Sequence, residues 1–201
     1  MNSFAPWRRD LSSFQLAGIS GFDGRLSFEV KCPNGVSRIP PHLDVLLRRG
    51  DPVVAVESKC TEYLTGKKVK AAAGYLALAG KGDERTSSRW FAALSHLSEF
   101  RLLDAYQLVK HYLGLRRSYP GLPLTLVYLF WEPANADTFP LFGRHRDEIE
   151  RFGELVAGDE SCRFAALSYP EHWRELAATP ERQAWLQSHL ASLRRRYEIK
   201  I

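Results

Sequence analysis

The chain has 201 residues, of which 45% are hydrophobic and 25% are charged, so it can bury a core and does not have the composition of a disordered chain. The net charge is +5 and the basic residues are clustered, which suits a phosphate-rich partner but also an ordinary solvated surface. The three cysteines, Cys32, Cys60 and Cys162, form no CxxC pair, which argues against a disulfide framework and a zinc knuckle.

Targeting and membrane signals are not evident in the chain. It has no apolar run of about 18 residues, and the N-terminal segment MNSFAPWRRD lacks the apolar region of a signal peptide. We therefore expect a cytoplasmic protein with no membrane partner. Residues 1–201 are predicted to form one domain, with a core at about 26–131 and a C-terminal α/β extension at about 140–201. The basic clusters are Arg8-Arg9, Arg48-Arg49, Lys67-Lys68-Lys70, Arg116-Arg117 and Arg194-Arg195-Arg196.

Three strands with short connections are predicted first along the chain. Residues 26–31, LSFEVK, alternate between apolar and polar side chains, and the turn signal CPNGV follows them. Residues 42–47 and 53–59 read as two further strands, separated by the turn RRGD. Consecutive strands with short connections favour an antiparallel meander.

Helices and a buried strand are predicted next. The alanine-rich residues 65–80 indicate a helix that starts at Thr65, and residues 88–116 indicate one long helix or two. The apolar run LTLVYLFW at 124–131 is typical of a strand buried on both faces. The remaining predicted elements are a helix near 144–156, a strand near 163–168 and helices near 170–196. This order predicts an α/β fold: a mixed sheet, made of the meander and a buried strand after a helical crossover, flanked by helices.

Charged side chains near the ends of the second and third predicted strands suggest a catalytic site. Glu57 and Lys59 are two residues apart and therefore share a face, whereas Ser58 points to the other side. If the two strands pair as a hairpin, Asp44 lies across from Glu57. Two carboxylates and the backbone carbonyl of Ser58 can hold a hard cation such as Mg²⁺. Lys59 could orient or deprotonate an attacking water, or neutralise charge that develops on phosphorus.

The order of Asp44 followed by Glu57-Ser58-Lys59 resembles the PD-(D/E)xK nuclease superfamily, which has the restriction-endonuclease-like fold. The resemblance covers roughly residues 26–131 and departs from the family pattern at one point, because Pro41 is separated from Asp44 by His42 and Leu43. It implies that Asp44 and Glu57 are metal ligands and that Lys59 is the catalytic lysine, and the Ser58 carbonyl stays the third metal ligand that the residues themselves suggest.

The resemblance also implies a function. It points to a DNA endonuclease that hydrolyses phosphodiester bonds with Mg²⁺, for which Mn²⁺ would substitute, in restriction, defence or repair. Superfamily enzymes that cut both strands are often dimers, so a homodimer is one expectation. The stretch ESKCTEYL is similar to that of bacterial members, which have a further Glu after the motif.

Four further residues are candidates for accessory roles: Glu29, Glu62, Gln107 and Lys110. Gln107, Lys110 and His111 lie on the helix face opposite Ala105 and Val109, which is the pattern of an ordinary solvated face.

Two other interpretations stay open. In the first, Asp44 and Lys59 form a structural salt bridge at a sheet edge. In the second, the protein is a non-cleaving nucleic-acid-binding or protein-interaction module with an α/β fold.

Overall fold

The computed structural model describes residues 3–8, 10–178 and 184–201, so Arg9 of the first basic cluster lies outside the described residues. Within them, a sheet of five strands runs in the order β1-β2-β3-β4-β5. The pairs β1–β2 and β2–β3 are antiparallel, whereas β3–β4 and β4–β5 are parallel. The strands are β1 (Ser27–Lys31), β2 (His42–Arg48), β3 (Val53–Lys59), β4 (Leu124–Phe130) and β5 (Arg163–Ser168). The predicted mixed α/β sheet is confirmed, and it is compatible with a restriction-endonuclease-like fold.

Helices flank this sheet. The α-helices are α1 (Ala73–Leu76), α2 (Arg89–Ala92), α3 (Ala105–Ser118), α4 (Pro140–Val156), α5 (Tyr169–Ala178) and α6 (Ala184–Tyr197). Short 3₁₀ segments lie at Ala5–Arg8, Glu62–Leu64, Ala79–Lys81, Glu84–Ser87, Ala93–Glu99 and Ala136–Thr138. In the described part of the chain, no helix has the length and apolar character needed to cross a bilayer.

The predicted helix at 65–80 is wrong, because only the single turn α1 and a 3₁₀ segment form there. The backbone N–H of Lys67 donates to the carbonyl of Arg101 at 2.7 Å, so this part of the chain pairs with a distant segment and not with its own preceding turn. Gly66 and Gly74 weaken the helical tendency of the alanines. A tertiary hydrogen bond therefore overrides local propensity.

The predicted helix at 88–116 is interrupted between the 3₁₀ segment Ala93–Glu99 and α3. The carboxylate of Glu148 on α4 accepts hydrogen bonds from the backbone N–H groups of Arg101, Leu102 and Leu103, at 2.8–3.0 Å. Asp104 then caps the N-terminus of α3, because its Oδ1 accepts from the N–H of Gln107 at 2.8 Å. These bonds satisfy the backbone at the break and fix where α3 begins.

A hydrophobic core lies on each face of the sheet. On the first face, Ala55 and Tyr128 pack with Leu108 of α3 and with residues of α1, α2 and α4. On the second face, Val56 and Leu129 pack with α5, α6 and the N-terminal aromatic side chains. Because Glu57 and Lys59 continue the alternation of Ala55, they point to the first face, beneath α3.

Candidate active site

The β2–β3 hairpin brings Asp44 to the same end of the sheet as Glu57. Val45 pairs with Val56, and the next step of this antiparallel register sets Asp44 beside Glu57. Asp44 Oδ2 accepts a hydrogen bond from the backbone N–H of Ser58 at 2.6 Å. The register that we expected from the short turn is therefore present, and the carboxylate of Asp44 is tied to the strand that carries Glu57.

Glu57 is the centre of a buried charge cluster. Its side chain is 2% exposed, its Oε1 forms an ion pair with Nζ of Lys59, and its Oε2 lies 2.8 Å from Nε2 of His111 on α3. His111 is completely buried. The contact between His111 and Glu57 is close, but it lacks the angle of a directed hydrogen bond. We therefore describe it as a contact between a carboxylate and an imidazole, held by strand β3 and helix α3.

Two opposing effects act on the pKa of Glu57. Burial raises this pKa, but the contact with His111 and the ammonium of Lys59 together outweigh burial and hold the pKa below its ordinary value. For Lys59, burial lowers the pKa, and the carboxylates of Glu57 and Asp44 outweigh it, so the pKa of Lys59 is raised. The geometry therefore keeps Glu57 ionised and Lys59 protonated.

Asp44 behaves differently from Glu57. Burial and the nearby charge of Glu57 raise the pKa of Asp44 to about 6, and the bond from Ser58 and the charge of Lys59 only partly oppose this rise. The raised pKa means that the surroundings of Asp44 compensate the negative charge of its ionised form poorly, since a second carboxylate lies beside it. Such a pair of oxygen donors is suited to a hard cation.

An open cavity of about 40 Å³ lies against this cluster. Lys59 and Tyr128 line it from the sheet, and Gln107 lines it from α3. Ser58 lies on the other face, where its Oγ and the hydroxyl of Tyr169 are 2.7 Å apart. The predicted alternation of side chains along β3 is therefore confirmed. Lys59 reaches solvent through the open cavity that it lines.

Of the predicted accessory residues, Glu62 and Gln107 line this cavity. Glu62 Oε2 also accepts from the backbone N–H of Cys60 at 2.7 Å, directly after the motif strand. Lys110 is directed elsewhere, with its Nζ 4.8 Å from the centre of the Tyr106 ring. The accessory roles of these residues stay predictions.

Glu29 lies at the position of β1 opposite Asp44, since its neighbours Phe28 and Val30 pair with Val45 and Leu43. Its side chain is exposed, and its backbone has a φ of 51°. That left-handed value is unfavourable for a residue with a Cβ atom, and it interrupts the extended strand beside the site.

The expectation that His111 lies on a solvated helix face is wrong. Helix α3 is buried on most of its circumference, with Leu108, Val109 and Tyr112 each at most 1% exposed. A polar residue on such a helix can therefore be buried. His111 lies about one helical turn from both Leu108 and Leu115, which are buried in the first core, so the buried face of α3 is wider than Ala105 and Val109 indicate.

A comparison of the sequence with protein families identifies the family of the chain. Residues 1–198 match the model of a family described as Restriction Endonuclease associating with ARP. The chain belongs to this family. Membership in a restriction-endonuclease-related family supports a nuclease-related role and an interaction with DNA. Searches of curated proteins and of solved structures gave no match.

Proposed function

We propose that the protein is a Mg²⁺-dependent DNA endonuclease of the PD-(D/E)xK type, with Asp44, Glu57 and Lys59 as its catalytic residues. The observation that carries this proposal is the convergence of these three side chains at one end of β2 and β3, beside an open cavity lined by Lys59. Family membership supports the nuclease part of the proposal. The convergence also argues against an accidental ExK sequence.

The donor set fits Mg²⁺. Asp44 and Glu57 offer carboxylate oxygens, and the backbone carbonyl of Ser58 adds a third hard ligand in our proposal. Among the described residues, no three His, Cys, Asp or Glu side chains form a metal-binding group by themselves. Mg²⁺ keeps several waters and binds few protein groups, so two carboxylates and one carbonyl can hold it in our proposal, and Mn²⁺ would substitute for it.

Each residue of the cluster has a distinct task. Mg²⁺ would supply charge stabilisation at the phosphate and a lowered pKa for a bound water. Lys59 reaches the cavity as an ammonium, so it would orient the attacking water and stabilise the negative charge that develops on the phosphate oxygens. His111 and Lys59 would hold Glu57 in place from opposite sides, so that this carboxylate stays ionised and fixed.

The biological setting is part of the proposal. Restriction, defence and repair are settings that suit a DNA endonuclease, and cytoplasmic DNA would be the substrate. The description of the family names an association with ARP, so we propose that this protein also binds a partner of that name. A homodimer would allow both strands of a duplex to be cut.

A non-cleaving DNA-binding protein is the second candidate. The observation that favours it is that both oxygens of Glu57 are in contact with protein groups, Oε1 with Lys59 and Oε2 with His111. Because Glu57 is almost fully buried, a metal ion must either share these oxygens with Lys59 and His111 or displace one of the two contacts. If neither contact yields, the cluster is a structural ion network and DNA is bound without being cut.

The decisive experiment is to incubate the purified protein with plasmid, phage and single-stranded DNA, with and without Mg²⁺ or Mn²⁺. We expect cleavage only with metal, and we expect Lys59→Met to reduce the rate by ~10² or more, because one positioned charge or acid–base group is removed. Metal binding and DNA binding should persist in Lys59→Met.

The exposed Lys81, substituted to Met, controls for the loss of one surface charge and should cut at the wild-type rate. DNA binding without metal-dependent cleavage would favour the second candidate. Wild-type cleavage by Lys59→Met would show that this lysine is structural.

A further inference from the structure

A basic groove adjoins the cavity at Lys59. We define it by four exposed cations that line it: Lys67, Lys68, Arg101 and Arg144. It has a volume of about 430 Å³ and shares Lys67 and Arg101 with the lining of the cavity. The groove is therefore adjacent to the cavity that Lys59 lines.

Among the described residues, the lining of the groove carries four cations and one carboxylate. Within the described residues, none of them forms an ion pair, whereas Arg146 and Arg151 on the same helix as Arg144 are each paired with two glutamates. Among the described residues that line the groove, the one carboxylate belongs to Glu148, and its two oxygens accept the backbone N–H groups of residues 101–103. The groove therefore has an excess of positive charge that is open to a ligand.

The two sides of the groove are tied together before any ligand binds. The backbone bond from Lys67 to Arg101 joins the segment after β3 to the segment before α3. Half-buried leucines line the groove beneath the exposed cations: Leu64, Leu102 and Leu141. A polyanion with apolar faces between its charges, such as a DNA strand, is complementary to this combination of cationic edges and apolar floor.

We propose that the basic groove binds the DNA strand next to the scissile phosphate, with its phosphates on the four cations and its sugars and bases over the leucines. This inference rests on the proposed function and adds the path of the substrate strand. The groove is separate from the groups that perform the chemistry, so binding and cleavage can be changed independently.

Gly66 allows a sharp test, since a Cβ atom there would lie in ordinary contact, 3.5 Å from the carbonyl oxygen of Arg101 and 3.8 Å from Leu102. Gly66→Glu therefore adds a negative charge to the groove without a backbone clash. Gly80→Glu is the matched control, because a Cβ atom at exposed Gly80 meets nothing within 4 Å and Gly80 does not line the groove. Both changes alter the net charge equally.

Binding is measured with fluorescent duplex and single-stranded DNA in the presence of a chelator, which prevents metal-dependent cleavage. We expect Gly66→Glu to weaken binding by about tenfold or more through like-charge repulsion, and Gly80→Glu to bind as the wild type does. Substituting Lys67 or Arg144 with Gln should lower the slope of log affinity against log salt by about 0.7–0.9 for each phosphate that the variant no longer neutralises. Arg151→Gln should leave that slope unchanged.

Equal effects of Gly66→Glu and Gly80→Glu, or an unchanged salt slope in the Lys67 and Arg144 variants, would overturn the groove assignment. Metal-dependent cleavage by the wild type would then still support the proposed function. If the wild type bound no DNA at low salt, the groove and the proposed function would both fail. Thermal unfolding of each variant establishes that a loss of binding is not a loss of folding.

Discussion

His111 Nε2 lies 2.8 Å from Glu57 Oε2, and the two side chains are 0% and 2% exposed. A helix and a strand that are distant in sequence thus place an imidazole against a carboxylate in the interior. Glu57 is ionised, and the protein interior around it solvates charge poorly. Replacing His111 with an apolar side chain would therefore remove one of the two polar groups in contact with the Glu57 carboxylate.

We predict that His111→Leu lowers the free energy of unfolding by about 3 kcal/mol at pH 7, since Lys59 still compensates part of the charge of Glu57. Glu57→Gln removes the charge that needs compensation. In a double-mutant cycle measured by urea denaturation, the two substitutions should therefore couple by about 1 kcal/mol or more. Additive effects would mean that the two side chains do not interact.

Asp44 should lower the stability of the metal-free protein at neutral pH. Its pKa is about 6 in the folded state and 3.8 ordinarily, so between these values the folded protein retains a proton that the unfolded chain has released. Stability therefore falls as the pH rises through this range. We expect Asp44→Asn to be more stable than the wild type by about 1–2 kcal/mol at pH 7, after allowance for solvent, and the difference to vanish below about pH 4.

Denaturant titrations across this pH range, without metal, measure the effect. Asp51→Asn on the exposed turn is the control and should show no such pH-dependent difference. If Asp44→Asn is less stable than the wild type at pH 7, the carboxylate contributes to folding and the view of Asp44 as an uncompensated site residue is incorrect.

Much of the sheet and the motif geometry follows from local patterns. A short turn leaves little freedom in the register of β2 and β3, so the approach of Asp44 to Glu57 could be predicted from residue counts. The alternation of side chains likewise fixes the face of Glu57 and Lys59. Both features depend only on residues that are close together in the sequence, so the geometry of one turn and one strand is enough to predict them.

The parts that could not be predicted depend on contacts between distant segments. Glu148 determines where α3 begins, although it lies more than forty residues away along the chain. The orientation of α3 depends on that start, and the burial of His111 depends on the orientation. The alanine-rich segment before α1 likewise pairs with Arg101 in place of forming a helix. Hydrophobic periodicity carries no information on such contacts.

The carboxylate of Glu148 should therefore affect cleavage through the position of α3, which carries Gln107 and His111. Glu148→Gln replaces a carboxylate, whose two oxygens accept from three N–H groups, with an amide that has one acceptor oxygen. We predict a loss of about 2 kcal/mol in stability and a lower cleavage rate. DNA affinity should be unchanged or higher, since the substitution removes a negative charge from the basic groove.

Glu150→Gln, an exposed position on α4, is the matched control and should leave cleavage and stability unaltered. The informative result for Glu148→Gln is a lower cleavage rate without a loss of DNA affinity. A parallel loss of both would indicate general disruption of the groove, and wild-type cleavage would show that α3 holds its position without this carboxylate.

The second core contains a histidine whose ionisation should make folding sensitive to acid. His172 is completely buried on α5, with its ring 5.7 Å from the ring of Phe4 and 5.8 Å from that of Phe14. Burial lowers its pKa from 6.5 to about 3. Below pH 6.5 the unfolded chain binds a proton that the folded protein does not, so stability falls as the pH falls.

We predict that His172→Phe, which keeps an aromatic ring among Phe4 and Phe14, removes this part of the acid sensitivity. Between pH 7 and pH 4, the free energy of unfolding should fall by about 3 kcal/mol less in the variant than in the wild type. Urea denaturation of both proteins at several pH values measures the difference, and contributions from carboxylates cancel in the comparison. His42→Phe, at the exposed start of β2, should follow the wild-type pH profile. Parallel profiles for His172→Phe and the wild type would mean that His172 is not the buried neutral group that its packing indicates.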